Sequence, residues 1–583
     1  MSFVAGLVIS PKASFDIEKT ILSFKNSFEN LYTGYSISIY KKNNFVLMSA
    51  FKKEDYKAKY QIIKDDAFAV VTDEPYLSIH EDVLKIPDAL PYLVNDSSSL
   101  KRCRGTFSFC YYSDKEKNLL LATDKIGVWP MYFYRDESLM IFSTQLKFIK
   151  KQPYTCMELD TTGLMEEVLI GYPLNERTRY KNIMRLEQSG FININIENFS
   201  FKIEKYWRWE DNKLVYASEK DALADCKKRF YDAIKIRLEE NKNQLCFLSG
   251  GMDSRFITSA LKELGASITG VNFSNSNSQD AEFAKEYARS IHCTYYNIER
   301  QPGEFVNFTN LICLARDNFI SKTNNLSEYV WSGDGGSVSL GYVYLTEKIE
   351  TAKNNPEALE QALFEKICQK FPKYTFSPEL KKEMDKIKLD IANSMQELYK
   401  RNDILRSAHF FLMFNDQSRH LSQSYFEKKD IDYIDFKLPF YDTEFLLSCF
   451  ALPVESYLYH RFYNKLYDIM PAFIRSTPWQ TYPGHIPCPV PYSKSNLTYQ
   501  WKEEASYSYH DLLKNRLFIL KEIFKRCTNK SFKDYLNNSF FGIVMLLYIL
   551  GFKNTFYRIN FIIKLLEIEP VYPPIVIKKK SQE

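Results

Sequence analysis

The fold of this chain follows from one stretch near its middle, Gln244-Leu245-Cys246-Phe247-Leu248-Ser249-Gly250-Gly251-Met252-Asp253-Ser254. Its first five residues form a short, mostly apolar run, which predicts a buried strand. Two glycines flanked by serines follow, and residues 255–264 then have a helical pattern that ends at Gly265. The stretch therefore predicts a strand, a tight loop and a helix in direct succession.

The residues that follow repeat this alternation. Residues 267–273 predict the next strand, and residues 280–290 predict the next helix. Strands that alternate with helices form a parallel sheet covered on both faces. Residues 350–480 have mainly helical patterns, and the tail beyond about residue 490 is predicted to be helical as well.

The earlier part of the chain has short β-type runs bounded by polar or turn residues. Such runs occupy residues 4–9, 35–40 and 118–123, and residues 105–111 alternate as a half-buried strand does. The pattern changes around Tyr206-Trp207, and a charged helix is predicted from residue 218 to about 240. A chain of 583 residues exceeds one ordinary core. We expect three domains, at residues 1–205, 206–485 and 486–583.

The composition is that of an ordinary globular protein, with 45% hydrophobic and 26% charged residues. The net charge of +5 arises from 77 basic and 72 acidic side chains, which gives no reason to expect nucleic acid as the main partner. The 11 cysteines are scattered without a C-x-x-C pair, and the first residues lack a signal-peptide pattern. Both observations favour a cytoplasmic location.

The longest apolar run, residues 540–552, is too short to span a bilayer as a helix. We expect a buried helix there, with contact to a membrane surface or a partner as the alternative. No transmembrane segment is predicted.

The loop at residues 249–254 has the features of an anion site. The first amides of the following helix lack partners within the helix and carry the positive end of its dipole. Gly250 and Gly251 allow a phosphate to approach the backbone, and Ser249 and Ser254 can each donate a hydroxyl hydrogen bond. Asp253 would repel a phosphate, so its carboxylate is best explained as a ligand for Mg²⁺.

We therefore predict that this loop binds the pyrophosphate of ATP. The strand before it and the helix after it provide the required context. It is not a Walker loop, because no Gly-Lys-Ser/Thr follows. The structural alternative is an ordinary Gly-Gly turn with a serine capping the helix.

Further motifs narrow the choice among enzymes that split ATP into AMP and pyrophosphate. They recur in the same order as in one family, and they are Arg104-Gly105-Thr106-Phe107-Ser108-Phe109, Thr123-Asp124-Lys125-Ile126-Gly127-Val128-Trp129-Pro130-Met131-Tyr132, Ser332-Gly333-Asp334-Gly335-Gly336, Asp416-Gln417-Ser418-Arg419 and Lys437-Leu438-Pro439-Phe440-Tyr441-Asp442. With them, the chain resembles the class B asparagine synthetase family, which also contains β-lactam synthetase and lasso-peptide cyclases. The resemblance covers roughly residues 1–485.

The resemblance implies a fold in two main parts. The first is an α+β Ntn-hydrolase-like sandwich of the glutamine amidotransferase type. The second is an α/β synthetase domain of the adenine-nucleotide α-hydrolase-like (PP-loop) class, with a helical C-terminal part. ATP and Mg²⁺ are the implied cofactors.

The resemblance also assigns roles to residues outside the loop. Ser332 and Gly333 would approach the ribose and α-phosphate, and Leu248 and Phe273 would sandwich the adenine. Asp334 would deprotonate the incoming nitrogen or orient the acyl group, although an aspartate at a turn is often only a cap.

Asp416 and Arg419 would line the same site as Asp334. The alternative for these two residues is an ion pair on a helix surface.

The chain departs from the family at the amidotransferase site. Ser2 stands where glutamine-hydrolysing members have a nucleophilic cysteine, and Phe3 stands where they have glycine. The nearest match to the glutamine-binding segment is Asp73-Glu74-Pro75-Tyr76, and it is poor. We expect that the N-terminal domain has lost glutaminase activity.

The synthetase part departs as well. Ser337 stands at the position of the family's second Mg²⁺-binding carboxylate. The segment Ser476-Thr477-Pro478-Trp479-Gln480 corresponds to a region where the family has a lysine that stabilises the adenylate. Arg475 or Lys465 could substitute for that lysine.

Three functions remain open. The first is an AMP-forming carbon–nitrogen ligase that joins a small-molecule or peptide carboxylate to an amine or ammonia, with a tailoring role favoured over primary asparagine synthesis. The second is a nucleotide-binding pseudoenzyme or scaffold, favoured by Ser337 and the missing lysine. The third, a sulfur- or tRNA-modifying enzyme, would need a reactive cysteine pair or a basic face, and neither is evident in the sequence. The sequence also leaves open a homodimer or a biosynthetic partner protein.

Overall fold

The computed structural model describes residues 2–73, 75–240, 242–274, 276–298, 326–368, 378–422, 426, 435–492 and 497, with short pieces between residues 516 and 562. Within these residues, no helix is long and apolar enough to cross a membrane.

The strands in chain order are β1 Ser2–Ile9, β2 Ser36–Lys42, β3 Phe45–Phe51, β4 Gln61–Lys64, β5 Ala67–Val71, β6 Leu77–Ile79, β7 Asp82–Leu84, β8 Ser108–Ser113, β9 Asn118–Thr123, β10 Tyr132–Arg135, β11 Leu139–Ser143, β12 Ile183–Arg185, β13 Gly190–Asn195, β14 Phe201–Lys205, β15 Asn243–Phe247, β16 Ile268–Asn272, β17 Thr294–Asn297, β18 Leu326–Trp331 and β19 Asp435–Lys437.

The α-helices in chain order are α1 Ile17–Leu31, α2 Asp55–Tyr60, α3 Ala89–Asn95, α4 Leu146–Lys150, α5 Thr161–Leu169, α6 Glu219–Lys235, α7 Met252–Glu263, α8 Gln279–Ser290, α9 Gly336–Gly341, α10 Glu347–Thr351, α11 Pro356–Ile367, α12 Pro378–Tyr399, α13 Ile404–Phe411, α14 Ser418–Leu421, α15 Thr443–Cys449, α16 Val454–Tyr457, α17 Arg461–Asp468 and α18 Asn538–Ile549.

Two six-stranded antiparallel sheets form a sandwich in the first part of the chain. Their strand orders are β12-β10-β11-β1-β3-β2 and β14-β13-β9-β8-β5-β4. Side chains of a strand alternate between its two faces, so β1 contributes Val4 and Val8 to the core between the sheets. On the other face of β1, Phe3 and Leu7 pack in a core with Phe24 of α1. The β-rich prediction for this region is confirmed.

A buried carboxylate organises one end of the sandwich. Asp124 follows β9, and its oxygens accept hydrogen bonds from the backbone N–H groups of Phe107, Ile126, Gly127, Val128 and Trp129. These bonds fold the loop that leads into β10. The Thr-Asp-Lys segment singled out in the sequence therefore has a structural role.

The second part of the chain contains the predicted parallel sheet, in the order β17-β16-β15-β18-β19. Its neighbouring strands are all parallel. In the described residues, helices connect β15 to β16 and β16 to β17 and lie between β18 and β19, which accounts for the alternation in the sequence. The residues described between 350 and 480 are mainly helical, as predicted.

A buried ion cluster joins the sandwich to the parallel-sheet part. The carboxylate of Asp442, the residue before α15, accepts hydrogen bonds from the Arg104 guanidinium at 2.8–3.0 Å and from Arg237 Nη1 at 2.9 Å. Burial would raise the pKa of Asp442, but the two guanidinium groups lower it below its ordinary value. Arg104 and Asp442 both lie in motifs that the sequence singled out, so those motifs meet at this junction.

Two helix predictions need adjustment. The helix predicted from residue 218 to about 240 ends at Lys235, because Arg237 turns back to contact the Ala233 carbonyl and Asp442.

In the apolar run near residue 540, helix α18 buries Val544, Met545 and Tyr548 but exposes Ile543 and Leu546 by 52% and 57%. The helix is confirmed there, and its burial is one-sided. Most of the predicted helical tail beyond residue 492 lies outside the described residues.

Candidate nucleotide site

The parallel sheet has a topological switch point between β15 and β18. From β15 the chain proceeds to β16 and β17 on one side, and then returns to add β18 and β19 on the other. In open sheets of this kind, ligands bind beyond the carboxyl ends of the strands where the order reverses. The loop at residues 249–254 follows β15, and the loop at residues 332–335 follows β18, so both predicted segments lie at this point.

The first loop presents an uncapped helix start. Leu248 donates its N–H to the Val271 carbonyl and so continues the sheet, and α7 begins at Met252 with no side chain capping it. The hydroxyl oxygens of Ser249 and Ser254 are 3.0 Å apart. Ser249, Gly251 and Asp253 are partly exposed. This arrangement suits an anion bound at the start of the helix.

The two loop glycines differ in their surroundings. Gly250 donates its N–H to the carboxylate of Asp280 at 2.9 Å, and a Cβ there would lie 2.8 Å from Asp280 Cα. Gly250 is therefore required for packing against α8. At Gly251 a Cβ would meet only Ser249 Oγ, at 3.4 Å, an ordinary contact. The fold itself leaves room for a side chain at Gly251.

The second loop lies directly against the first. A Cβ at Gly333 would be 2.8 Å from the backbone nitrogen of Ser254, so the two backbones approach closely. The Ser332 hydroxyl donates to the Asp334 carboxylate at 3.1 Å. Gly335 has a φ of +94° and packs on the Tyr441 ring. The structure thus brings Ser332, Gly333 and Asp334 to the predicted phosphate loop.

Asp253 contacts Ser337, the position at which the resemblance implies a second carboxylate. Ser337 donates its N–H to Asp253 Oδ2 at 2.9 Å and its hydroxyl to Oδ1 at 2.7 Å. Burial raises the pKa of Asp253 to about 6, although these two hydrogen bonds act in the opposite direction and the nearby Asp334 carboxylate raises it further.

Asp253 is suited to hold Mg²⁺ together with a nucleotide, but not alone. The described residues contain no group of three or more His, Cys, Asp or Glu side chains that could hold a metal ion. Mg²⁺ commonly takes one or two protein carboxylates and draws its other ligands from phosphates and water. The residues present fit this mode, with Asp253 as the one carboxylate.

Leu248 and Phe273 follow adjacent strands, β15 and β16. Both are buried, with 1% and 8% of their surface exposed. Phe273 also packs edge-on against Phe247, at 5.8 Å between ring centroids. Both side chains belong to the hydrophobic core, and the resemblance implies that the adenine lies between them.

Asp416 and Arg419 lie between the two parts of the chain. A wide, π-type helical turn, Leu412–Gln417, precedes α14 and carries Asp416. The Tyr172 hydroxyl donates to Asp416, and Arg419 Nη2 donates to the Asn175 carbonyl. Each residue therefore contacts the N-terminal sandwich.

Tyr344 lies within electrostatic range of both Asp416 and Asp334. Burial raises the pKa of Tyr344, and the nearby carboxylates of both aspartates add to this rise. Gln417, next to Asp416, is hydrogen-bonded to Tyr344 and, at 2.6 Å, to the Tyr441 hydroxyl. Both aspartates therefore act electrostatically on Tyr344, whereas Arg419 donates to the Asn175 carbonyl at the junction with the sandwich.

The segment at residues 476–480 contacts the first loop, as the resemblance implied. Gln480 donates its N–H to the Gly250 carbonyl at 2.8 Å. Arg255, buried within α7, donates to the carbonyls of Thr477 and Pro478, each at 2.8 Å. Its guanidinium also lies 4.4 Å from the centroid of the Tyr287 ring. Arg255 therefore holds this segment against the loop.

The two candidate replacements for the missing lysine have partners elsewhere. Arg475 pairs with Asp468, and Lys465 pairs with Glu219 at 2.6 Å. All four side chains are substantially exposed. Neither cation is directed at the loop by these contacts.

Sequence reasoning gave no role to Asp280 and Arg255, nor to Gln417 and Tyr441, although the last two lie within quoted motifs. Asp280 had one local signal, because Ser278 caps α8 and places Asp280 in its first turn. The other three act through contacts with residues far away in the chain, which no local pattern reveals.

Comparison with known protein families agrees with this geometry. Residues 92–208 match the glutamine amidotransferase domain family, and residues 225–334 match the asparagine synthase family. The second match includes the loop at 249–254 and extends to Asp334.

Curated relatives support the same family. A putative glutamine-hydrolysing asparagine synthetase 2 of Methanocaldococcus jannaschii is 26% identical over 39% of this chain and 44% of its own. The glutamine-hydrolysing asparagine synthetase 3 of Bacillus subtilis is 27% identical over 29% of this chain and 27% of its own. Amidase chyE of Penicillium rubens is 26% identical over 29% of this chain and 25% of its own.

The two domain matches in this order, together with these relatives, support an asparagine synthetase-family protein. The matched regions span less than half the length of these curated relatives.

Proposed function

We propose that this protein is an ATP-dependent, AMP-forming ligase that activates a carboxylate and transfers it to an amine or ammonia. The observation that carries the proposal is the close approach of the two loops, where Gly333 lies against the backbone nitrogen of Ser254 at the switch point of the sheet. That approach brings the loop that carries Asp334 against the start of α7.

In the proposed first step, a carboxylate oxygen of the substrate attacks the α-phosphorus of ATP. The bond to the β-phosphate oxygen breaks, and the products are an acyl-adenylate and pyrophosphate. The first amides of α7, together with Ser249 and Ser254, hold the departing pyrophosphate. Asp253 would hold Mg²⁺, which supplies positive charge to the phosphates when bound.

In the second step, the amine nitrogen attacks the acyl carbon and AMP leaves. Asp334 accepts the proton that the nitrogen loses or orients the acyl group. Asp416 is the second candidate carboxylate, and both it and Asp334 raise the pKa of Tyr344. Leu248 and Phe273 provide the apolar surface for the adenine, and Ser332 and Gly333 approach the ribose and α-phosphate.

We further propose that the N-terminal sandwich is an Ntn-type amidotransferase domain, residues 1–205, without glutaminase activity. Ser2 begins strand β1 in the nucleophile's place. Tyr76, in the nearest match to a glutamine-binding segment, lies 4.7 Å below the Arg237 guanidinium and accepts a bond from Lys437 at 3.3 Å.

The cavity beside Tyr76 measures about 10 Å³, roughly the space of one water molecule.

We propose residues 206–485 as the PP-loop synthetase domain and residues 486–583 as a C-terminal extension.

The alternative is a nucleotide-binding pseudoenzyme. Two observations favour it. Ser337 occupies both oxygens of Asp253, and the segment at 476–480 brings no lysine to the loop.

Pyrophosphate release by the purified full-length chain distinguishes the two. The assay contains MgATP, pooled carboxylic acids and ammonia. Release that depends on an added acid and is lost in Asp253→Ala supports the ligase. Asp468→Ala, which removes an exposed carboxylate paired only with Arg475 in the described structure, is the matched control and should keep full release. ATP binding without release in any pool would support the pseudoenzyme.

A further inference from the structure

A second cavity, separate from the nucleotide loop, lies where the sandwich meets the helical region. Its volume is about 720 Å³, within the range of small-molecule sites. One wall is formed by residues 174–188 of the sandwich and the other by α12, α13 and the turn that leads into α14. Asp253 and the two loops of the nucleotide site do not line it.

The wall of this cavity combines cationic and aromatic groups. Six basic side chains outnumber four acidic ones, and the basic residues are Arg177, Lys181, Arg185, Lys205, Arg208 and Arg419. Three phenylalanines of the helical wall, Phe410, Phe411 and Phe414, supply apolar surface. A ligand that matched both features would have an anionic group and an apolar body.

Several of these cations are already neutralised by carboxylates. Lys205 pairs with Glu187 at 2.6 Å, Lys181 pairs with Glu158, and Arg177 pairs with Glu166 and Asp390. These ion pairs hold the three basic side chains in place and compensate their charges, so none of the three requires a further anion.

Arg185 differs from these cations. Only 3% of its surface is exposed. Its Nη2 donates to the Gly127 carbonyl at 2.5 Å and to Ser422 Oγ at 3.1 Å, while Nη1 is buried without a hydrogen-bond partner in the described structure. Both of its partners are neutral. A buried guanidinium without a counter-ion is costly, and an anion in the adjoining cavity would remove that cost.

We infer that this cavity is a binding site for a small organic carboxylate with an apolar or aromatic body, and that Arg185 binds the carboxylate group. Ser418 and Arg419, two and three residues after Asp416 in the chain, also line the site. The inference does not depend on ATP binding or on ligase activity.

Calorimetry with benzoate and benzamide tests this site. The two probes share one ring and differ in charge, and ATP is omitted so that failure of the ligase proposal does not affect the result. We expect the full-length chain to bind benzoate about tenfold or more tightly than benzamide, the effect of one charge-assisted hydrogen bond.

Two variants decide whether Arg185 is responsible. Arg185→Met should remove the preference for benzoate, and Arg185→Lys should retain part of it, which separates loss of charge from loss of fold. Arg289→Met, the same change at an exposed arginine of α8 outside the cavity, should keep the full preference. Equal binding of the two probes, no binding of benzoate, or an undiminished preference in a folded Arg185→Met protein would each overturn the inference.

Discussion

The Ser337 hydroxyl donates a hydrogen bond to the Asp253 carboxylate at 2.7 Å, and the backbone N–H of Ser337 donates a second at 2.9 Å. The one carboxylate of the proposed phosphate loop is therefore joined to the start of α9, and through it to the second loop. The resemblance implies a second metal-binding carboxylate at this position, and here a neutral donor holds Asp253 in place.

Replacing this serine by a carboxylate should make the site more dependent on metal. In Ser337→Asp, two carboxylates would lie in contact, and without metal their repulsion should lower the free energy of unfolding by about 1–3 kcal/mol. Added Mg²⁺ should recover that loss. Thermal unfolding with and without Mg²⁺ measures both effects.

Ser337→Ala is the control for that substitution. It keeps the backbone bond to Asp253 and loses only the hydroxyl bond, which should cost about 1 kcal/mol with no response to Mg²⁺. A Ser337→Asp protein that is as stable as the parent and indifferent to Mg²⁺ would show that Asp253 does not face a cation.

The raised pKa of Asp253 predicts a pH dependence of nucleotide binding. Folding raises this pKa from 3.8 to about 6. The folded chain then holds the proton more tightly than the unfolded chain, so this group's contribution to the free energy of unfolding falls as the pH rises from about 4 to about 6. MgATP needs the ionised carboxylate, so its affinity should increase as the pH rises through about 6 and level off above it.

Asp253→Asn separates this effect from the titration of the phosphates themselves. Both proteins bind the same nucleotide, and the difference between their affinity–pH curves isolates the carboxyl group. The parent should show an additional step near pH 6 that the variant lacks. Superimposable curves would mean that Asp253 does not interact with the bound MgATP.

Arg255 should be needed to keep the segment at 476–480 in place. Arg255→Met removes the donors to the carbonyls of Thr477 and Pro478, so the free energy of unfolding should fall by about 2–4 kcal/mol. Hydrogen exchange at the Gln480 amide, which bonds to Gly250, should become faster. Arg475→Met, at an exposed ion pair, should change stability by no more than about 0.5 kcal/mol. Unchanged exchange at Gln480 in Arg255→Met would contradict the assigned role.

The Arg104–Asp442–Arg237 cluster should dominate the stability of the junction between the two parts. Asp442→Asn leaves two buried guanidinium groups without a carboxylate and should cost about 3–5 kcal/mol in denaturant unfolding. Because the arginines lower the pKa of Asp442, its stabilisation is complete above about pH 4 and is lost as the pH falls below that value.

An exposed ion pair serves as the control for the buried cluster. Glu204→Gln breaks the surface pair with Lys202 and should change stability by less than about 1 kcal/mol. Equal losses in Asp442→Asn and Glu204→Gln would show that the junction does not rely on the buried cluster.

Local sequence patterns predicted most of the elements around the site. The strand before the loop, the helix after it and the next strand–helix pair lie within a few residues of the predicted bounds, because their apolar periodicity is strong. Local patterns predicted the first loop, whereas the second loop, at residues 332–336, was inferred from the resemblance. Tertiary contacts were not predictable in this way. The Gly250 N–H bonds to Asp280 and not to a phosphate, and this contact joins residues that are distant in the chain. The same holds for the hydrogen bonds that join Asp416 and Arg419 to the sandwich.

The central claim is that the turn at residues 249–254 is shaped for the phosphates of ATP, and Gly251 tests it most directly. The fold leaves room for a Cβ there, whereas Gly250→Ala would collide with Asp280 and should destabilise the protein. The measurement is a calorimetric titration of MgATP into the parent protein and into the Gly251→Ala variant. We predict that the parent binds, and that the variant has the same thermal stability but about tenfold or more weaker affinity, because its methyl group obstructs the phosphates. A parent that does not bind MgATP, or a Gly251→Ala protein that binds it equally well, would contradict the claim.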